Sequence, residues 1–317
     1  MSDPIPTLRI GTRGSALALT QAHGIQADLL RLGCLAEVII IKTSGDLDQV
    51  RPFAQVGAPG LFVRELERAL VDSRVDIAVH CYKDLPSDSP DELEVIASPA
   101  REDMRDRLLI APGSHDPVAE FLPLREGSRV GTASARRIAL VQSLRPDLEC
   151  VHLRGNVPTR VKQLASSEYD AILLASAGIN RLDAAAERGE CPPLQRGGLI
   201  EVDLDPRSFV PAPSQGALAL QVRRGDFASA RWIQSLDAPA DHAAVRAERH
   251  LLALVEAGCQ VPFGAVALTP LDPTAGTHEL VAALEVDGTM RRAQAIGDDP
   301  AELARKVYGL LLPERLG

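Results

Sequence analysis

Lysine is almost missing from this 317-residue chain, whose 34 basic side chains are four lysines and thirty arginines. Aromatic residues are nearly as scarce, at 3%, and the formal net charge is -9. Together these argue against a general nucleic-acid binder, which needs a basic face and rings that stack on bases. The five cysteines, Cys34, Cys81, Cys150, Cys191 and Cys259, form no C-x-x-C pair, and their odd number speaks against a disulfide framework. They share no zinc-like ligand spacing with the seven histidines, so no metal centre is expected. Neither G-x-x-x-x-G-K-[ST] nor G-x-G-x-x-G occurs, which argues against a bound nucleotide. The opening MSDPIPTLRI has no basic stretch leading into an apolar one, and no run approaches the roughly 20 apolar residues of a membrane span. A cytoplasmic protein without a membrane partner is the expectation.

What is present is an ordinary globular composition, 45% hydrophobic and 24% charged. At about 150 residues per domain the length suits two or three domains. TLRIGT and EVIIIKTSGD read as buried strands around a helix from Ala16 to Leu32. GLFVRELERALVDS puts Phe62, Leu66, Ala69 and Leu70 on one helical face before the strand VDIAVH. The alternation implies parallel pairing in an α/β domain over residues 1–103, rejoined by 213–236 through the Pro-, Ser- and Gly-rich VPAPSQGALALQV. A second α/β domain, 104–212, shows the same grammar, with helices from about Ala135 to Leu144 and Pro158 to Ala165 and a further one over INRLDAAAE. Residues 237–317 read as a small α+β domain. Asp241 would cap a helix reaching Ala257, with Gly258 as its stop; two strands would then join at Asp287-Gly288, and Asp299, Pro300 and Glu302 would open a last helix.

Loops after the carboxyl ends of parallel strands are the default ligand site of open α/β sheets, and here they carry arginines. Arg13 lies in GTRGSALAL, Arg136 and Arg137 follow VGTASA, Arg154 and Arg160 bracket RGNVPTR, and Arg181 lies in SAGINRL. Each taken singly reads as a solvated surface residue, and a genomic preference for arginine explains their number. Their recurrence at equivalent places points instead to a ligand with several negative charges, met by planar guanidinium forks and by N–H groups of helix starts. The loop HCYKDLPSD brings His80, Cys81, Lys83 and Asp84 to the same mouth. Asp84 suits either proton transfer or stabilisation of a cation there, and an ordinary ion pair with Lys83 is the plainer alternative. Cys259, in EAGCQVPFGAV, falls at a helix end, whose partial negative charge disfavours a thiolate nucleophile. A thiol used once, as an anchor, has no such requirement.

These segments, in order from Arg9 to Ala265, resemble the motif series of the porphobilinogen deaminase family; the most specific are HCYKDLP, LRGNVPTR and GCQVPFG. The resemblance implies two α/β domains similar to the halves of type 2 periplasmic binding proteins with a cleft between them, plus a small C-terminal α+β domain carrying the cofactor. It implies hydroxymethylbilane synthase activity: four porphobilinogen molecules condensed head to tail on a dipyrromethane primer, with ammonia released, then 1-hydroxymethylbilane freed by hydrolysis. Cys259 matches the cysteine that holds dipyrromethane by a thioether, and Asp84 matches the catalytic aspartate. Ser15, Lys83, Asp84, Thr132, Ser134, Arg136, Arg137, Arg154 and Gly155 match cofactor contacts, and Arg13, Arg154, Arg160, Arg181, Gln215 and Gly216 match substrate contacts. Asp46 matches an aspartate to which no physical role attaches. The family expectation is a monomer. Gln55 and Pro59 stand where lysines are common in the active-site loop, and Cys81 replaces a usual serine. The alternatives are a paralogue that binds precursors without completing the chain, or a two-lobed sensor for an anionic small molecule, which would need neither Cys259 nor a third domain.

Overall fold

In the computed structural model, which describes residues 7–42, 63–165, 168–255, 261–269 and 277–315, the apolar runs become the strands of three sheets. In chain order the first elements are β1 (Leu8–Thr12), α1 (Ala16–Arg31), β2 (Ala36–Ile40), α2 (Arg64–Val71), β3 (Ile77–Cys81) and β4 (Leu93–Ala97). Next come β5 (Asp106–Ile110), β6 (Arg129–Gly131), α3 (Ala135–Leu144), β7 (Glu149–Val151), α4 (Val157–Leu164), β8 (Ala171–Ala175), α5 (Ser176–Glu187) and β9 (Ile200–Asp203). The chain closes with β10 (Leu218–Arg223), α6 (Phe227–Gln234), α7 (Pro239–Val255), β11 (Phe263–Leu268), β12 (His278–Val286), β13 (Thr289–Gly297) and α8 (Pro300–Leu311). Phe62, Asp46, Gln55, Pro59, Ala257, Gly258 and Cys259 lie outside the described residues.

One compact unit comprises Met1–Arg101, Arg188–Cys191 and Ala217–His242. Its sheet has the order β2-β1-β3-β10-β4, with β1, β2 and β3 parallel and β10 antiparallel to both of its neighbours. Side chains alternate across a strand, so both faces must be covered. Ile10, Ile77, Val79 and Leu220 pack on Ile25 and Leu29 of α1, while Ala78 turns to Leu66 and Leu70 of α2.

The other unit comprises Glu102–Glu187, Pro192–Gly216 and Ala243–Gly317 and holds two sheets. The first has the order β7-β6-β8-β5-β9; Leu108, Ile110, Leu173 and Leu140 fill one face, and Leu109, Ile172, Val161 and Ile179 the other. The second is the antiparallel β11-β12-β13. Its central strand HELVAALEV is a near-continuous apolar run because both faces are covered. Val281 and Ala283 join the core of the α/β sheet, whereas Leu280, Ala282 and Leu284 meet Leu251 of α7 and Leu303 and Val307 of α8. The β12–β13 turn has positive φ at Asp287 (51°) and Gly288 (76°), the pairing that a two-residue I′ hairpin requires. Asp299 caps α8, accepting from the Glu302 N–H at 2.7 Å.

Some expected details move. Helix α7 begins at Pro239, so Asp241 sits inside its first turn, and its carboxylate accepts the Arg101 N–H at 2.8 Å instead of capping. The helix α5 begins at Ser176, inside what reads as the end of a strand. Strands β4, β5 and β9 were not anticipated, and the antiparallel entry of β5 and β10 matters most for the site.

His80, expected at the strand mouth, is instead 5% exposed inside its unit. Its Nε2 lies 3.0 Å from Oε1 of Gln221, whose Nε2 donates to Glu67 at 3.1 Å. Burial pushes the His80 pKa from 6.5 down to about 4, with the Gln221 bond opposing the shift only weakly. The unfolded chain therefore takes up a proton between pH 6.5 and 4 that the folded one refuses. The His80 contribution is complete above pH 6.5 and is lost as pH falls toward 4, a change on the order of 3 kcal/mol. We expect urea denaturation between pH 7 and pH 4 to show this loss in the wild type and its absence in His80→Gln; equal acid-side losses in both would contradict the buried neutral imidazole.

Candidate active site

The sequence places chemistry at strand ends, and pairing decides which ends meet. Within the first unit β1 and β3 are parallel neighbours, Ile10 opposite Ile77, so the loops that follow them leave the same end of the sheet. The β1 loop carries half-buried Arg13, and then Ser15, whose hydroxyl caps α1 by accepting the Ala18 N–H at 3.3 Å. The β3 loop is a single 3-10 turn, Tyr82–Asp84. Tyr82 and Leu85 are buried on either side; Tyr82 N donates to the Ala217 carbonyl at 3.1 Å and Leu85 N to the Tyr82 carbonyl at 3.2 Å. Lys83 is half-buried and Asp84 is exposed between those anchors, a carboxylate carried on a rigid turn. Cys81 receives a hydrogen bond on sulfur from Gln21 Nε2 at 3.2 Å.

In the second unit β6 is parallel to both β7 and β8, so three loops share one sheet end. After β6, buried Thr132 accepts the Ser134 N–H at 3.2 Å, and Ser134 in turn caps α3 through the Arg137 N–H at 3.5 Å. After β7, Asn156 caps α4 through the Thr159 N–H at 2.9 Å. Gly155 has φ +114°, and a Cβ there would lie 2.8 Å from Thr159 Cγ2, so glycine lets the loop close onto the helix start. Arg160 Nε donates to the Gly155 carbonyl at 2.7 Å and Arg154 Nε to His152 Nε2 at 3.1 Å.

Arg136 and Arg137 are both 6% exposed and converge on Asp106, which is fully buried. Arg136 Nη1 donates to Asp106 Oδ2 at 2.7 Å and to the Val210 carbonyl at 2.8 Å. Arg137 reaches Asp106 Oδ1 through Nη2 at 2.6 Å and Nε at 3.1 Å, and the Leu173 carbonyl through Nη1 at 2.8 Å. Burial alone would raise the Asp106 pKa; the two guanidiniums outweigh it and hold the carboxyl well below its usual range. Two cations thus share one anion. Nearby, burial and the charge of Arg137 push Arg160 down to about 10. An acidic ligand would relieve this surplus of positive charge.

Asp106 escaped the sequence analysis because only the carboxyl ends of strands were searched. β5 runs antiparallel to β8, with Asp106 opposite Ala175, so the start of β5 lies where β8 ends. Two adjacent arginines after a strand, which need a counter-ion if buried, were the available signal. Gln215, expected as a substrate contact, is 1% exposed, and its Nε2 donates to Asp106 Oδ1 at 3.1 Å and to the carbonyls of Met104 and Arg105 at 2.9 and 3.2 Å. Gly216, φ +89°, offers its carbonyl to Arg181 Nη2 at 2.6 Å; a Cβ on it would lie 2.2 Å from the Glu102 carbonyl oxygen. Both residues therefore touch the arginine-bearing segments, Gln215 through Asp106 and Gly216 through Arg181.

The sequence model of the family described as "Porphobilinogen deaminase, dipyromethane cofactor binding domain" matches residues 8–231. A porphobilinogen deaminase of Syntrophobacter fumaroxidans is 40% identical over 95% of this chain and 91% of its own length. One of Roseiflexus castenholzii is 41% identical over 96% of both chains. Among solved structures, an ancestral cationic amino acid solute binding protein aligns over 73% of this chain and 87% of that chain, at 15% identity and a TM-score of 0.41.

Removing the Asp106 charge leaves two buried guanidiniums without their shared partner. Asp106→Asn is expected to lower the unfolding free energy by about 3–5 kcal/mol, as for other broken buried ion pairs. Urea denaturation at pH 7 measures it, and a loss below about 1 kcal/mol would contradict the role given to this carboxylate.

Proposed function

The chain belongs to the porphobilinogen deaminase family, and we infer that it is a hydroxymethylbilane synthase, a transferase that joins four porphobilinogen molecules head to tail. The observation that carries this reading is the cluster of Arg136, Arg137 and Arg160, buried or half-buried with Asp106 as the carboxylate between the first two. Porphobilinogen and its oligomers carry an acetate and a propionate on every ring, and guanidiniums suit them as bidentate partners.

The residues fit the family cofactor, dipyrromethane, on the chemistry of the donor set: cations in excess of anions beside the hydroxyl- and amide-capped starts of α3 and α4. Dipyrromethane, which Cys259 would hold by a thioether, would supply a free pyrrole carbon as the starting point of the chain. Arg136, Arg137, Arg154, Thr132, Ser134 and the Gly155 loop would hold its carboxylates; Ser15 and Lys83 are the further cofactor contacts that the family resemblance implies. Arg13, Arg154, Arg160 and Arg181 would bind the carboxylates of incoming substrate. Gln215 and Gly216 serve that binding indirectly, through Asp106 and Arg181.

Asp84 provides the negative charge the reaction needs. In each condensation the carbon–nitrogen bond of the aminomethyl group breaks, ammonia leaves with the electron pair, and the methylene carbon becomes electron-poor. A carbon–carbon bond forms at that methylene, and the attacked pyrrole carbon then loses its proton. A carboxylate held on the stiff 82–84 turn accepts pyrrole N–H bonds and stabilises the passing positive charge without reorganising. We assign the primer anchor to the C-terminal α+β portion, residues 237–317, and the two α/β domains to 1–103 with 213–236 and to 104–212. The enzyme would act in the cytoplasm as a monomer, with no nucleic acid as partner.

Denatured intact mass before and after incubation with porphobilinogen tests the anchor. A covalent increment matching dipyrromethane is expected in the wild type and not in Cys259→Ser; an equal increment in both proteins would remove Cys259 as the attachment point. Asp84 is exposed, so Asp84→Asn should fold normally while ammonia release falls by at least about a hundredfold, the scale of a lost charge-stabilising group. Porphobilinogen binding without any ammonia release in the wild type would favour a sensor or a non-elongating paralogue.

A further inference from the structure

Glu248 is a fully buried carboxylate that the reaction does not use. It lies on the inward face of α7 with Ala244, Ala247 and Leu251, in a helix whose other buried side chains in this stretch are apolar. Such a position favours an apolar residue unless the charge is met by donors. Two backbone N–H groups meet it: Ser214 N at 2.6 Å from Oε2 and Ala267 N at 2.8 Å from Oε1.

Those two donors mark the place where one segment leaves another. Residues 210–211 run along the outer edge of β11, with Ala265 N donating to the Pro211 carbonyl at 3.0 Å. Gly264 permits the approach, since a Cβ there would lie 2.6 Å from the Val210 carbonyl oxygen. Two residues farther along the same edge, at Ala267, the segment has turned away through Ser214, whose φ is +63°. The Glu248 carboxylate takes the position that a strand carbonyl would have held and bonds both sides of the divergence. The turn it pins is the one from which Gln215 donates to Asp106 and Gly216 accepts from Arg181.

We propose that Glu248 is a positioning residue for substrate binding: by fixing the Ser214–Gly216 turn on β11 it sets the placement of Arg181 and of the Asp106-bound pair Arg136 and Arg137. This rests on the reading of those arginines as carboxylate-binding groups. A fixed frame matters because a displacement of about 1 Å in a positioning group can cost as much as a hundredfold in rate.

Glu248→Gln places an amide NH2 against one of the two N–H donors, so one bond is lost and replaced by a donor–donor contact. Glu248→Asp keeps the charge, which protects folding, but its shorter side chain reaches fewer donors. In the wild type and both variants, amide hydrogen exchange is followed at Ser214 and Ala267, with Leu284 and Val307 as core controls, and KM and kcat for porphobilinogen are measured by ammonia release. The expected result is at least tenfold faster exchange at Ser214 and Ala267 in Glu248→Gln with the controls unchanged. KM should rise at least tenfold while kcat stays within about threefold, and Glu248→Asp should fall between. Wild-type exchange at Ser214 in either folded variant, or a fall in kcat with KM unchanged, overturns the proposal. A wild type that releases no ammonia would instead defeat the functional reading, and the exchange at Ser214 and Ala267 would then decide whether Glu248 holds the turn.

Discussion

A single buried carboxylate organises the arginine site of the second unit. Asp106 accepts from Arg136, Arg137 and Gln215 at once, and each partner comes from a segment distant in sequence. A buried charge is tolerable only when it is paired and its lone pairs are filled, and Asp106 meets both conditions. The arrangement is deliberately unequal in charge: one anion for two cations leaves a positive remainder beside the starts of α3 and α4. A fully neutralised cluster would be a structural ion pair. An unbalanced one keeps positive charge that an acidic group would neutralise.

Backbone geometry turns that charge into a shaped site. The Ser214–Gly216 turn combines φ of +63° at Ser214, disfavoured for a residue with a Cβ, with +89° at Gly216, which glycine adopts freely, and it delivers the Gln215 side-chain amide to Asp106 and the Gly216 carbonyl to Arg181. Gly155 does comparable work after β7, closing the loop onto α4 where a side chain would collide with Thr159. Asp84 is treated differently, exposed on a turn whose rigidity comes from buried Tyr82 and Leu85 on either side. The paired charges of Asp106, Arg136 and Arg137 are buried, whereas the Asp84 carboxylate remains accessible.

Most of the fold was legible from period and punctuation. The long apolar runs, the I′ signal at Asp287-Gly288 and the Asp299 cap became strands, turn and helix where expected, because local preference and burial agreed there. The misses that bear on the arginine cluster share one cause: sequence pattern does not reveal strand direction. Taking both α/β domains as parallel hid the antiparallel entry of β5 and β10, and with it the fact that the beginnings of these strands lie at the same sheet ends as the β1, β3, β6 and β8 loops. Asp106, at the start of β5, lies outside the loops that follow the parallel strands, so its bond to Gln215 is not visible in the sequence. His80 was misplaced by period: one residue before Cys81 on β3, its side chain falls on the opposite face, toward Gln221.

The scarcity of lysine gains a local meaning from this geometry. At Arg137 the planar guanidinium binds a carboxylate oxygen through two nitrogens and a carbonyl through the third, filling three directions in one plane. A lysine ammonium could supply the charge but not that fixed fork, and burial would press it toward the neutral form far more readily than arginine. Arg136 likewise divides between Asp106 and the Val210 carbonyl. Whatever set the overall preference for arginine in this chain, these two positions use the property that separates the two cations.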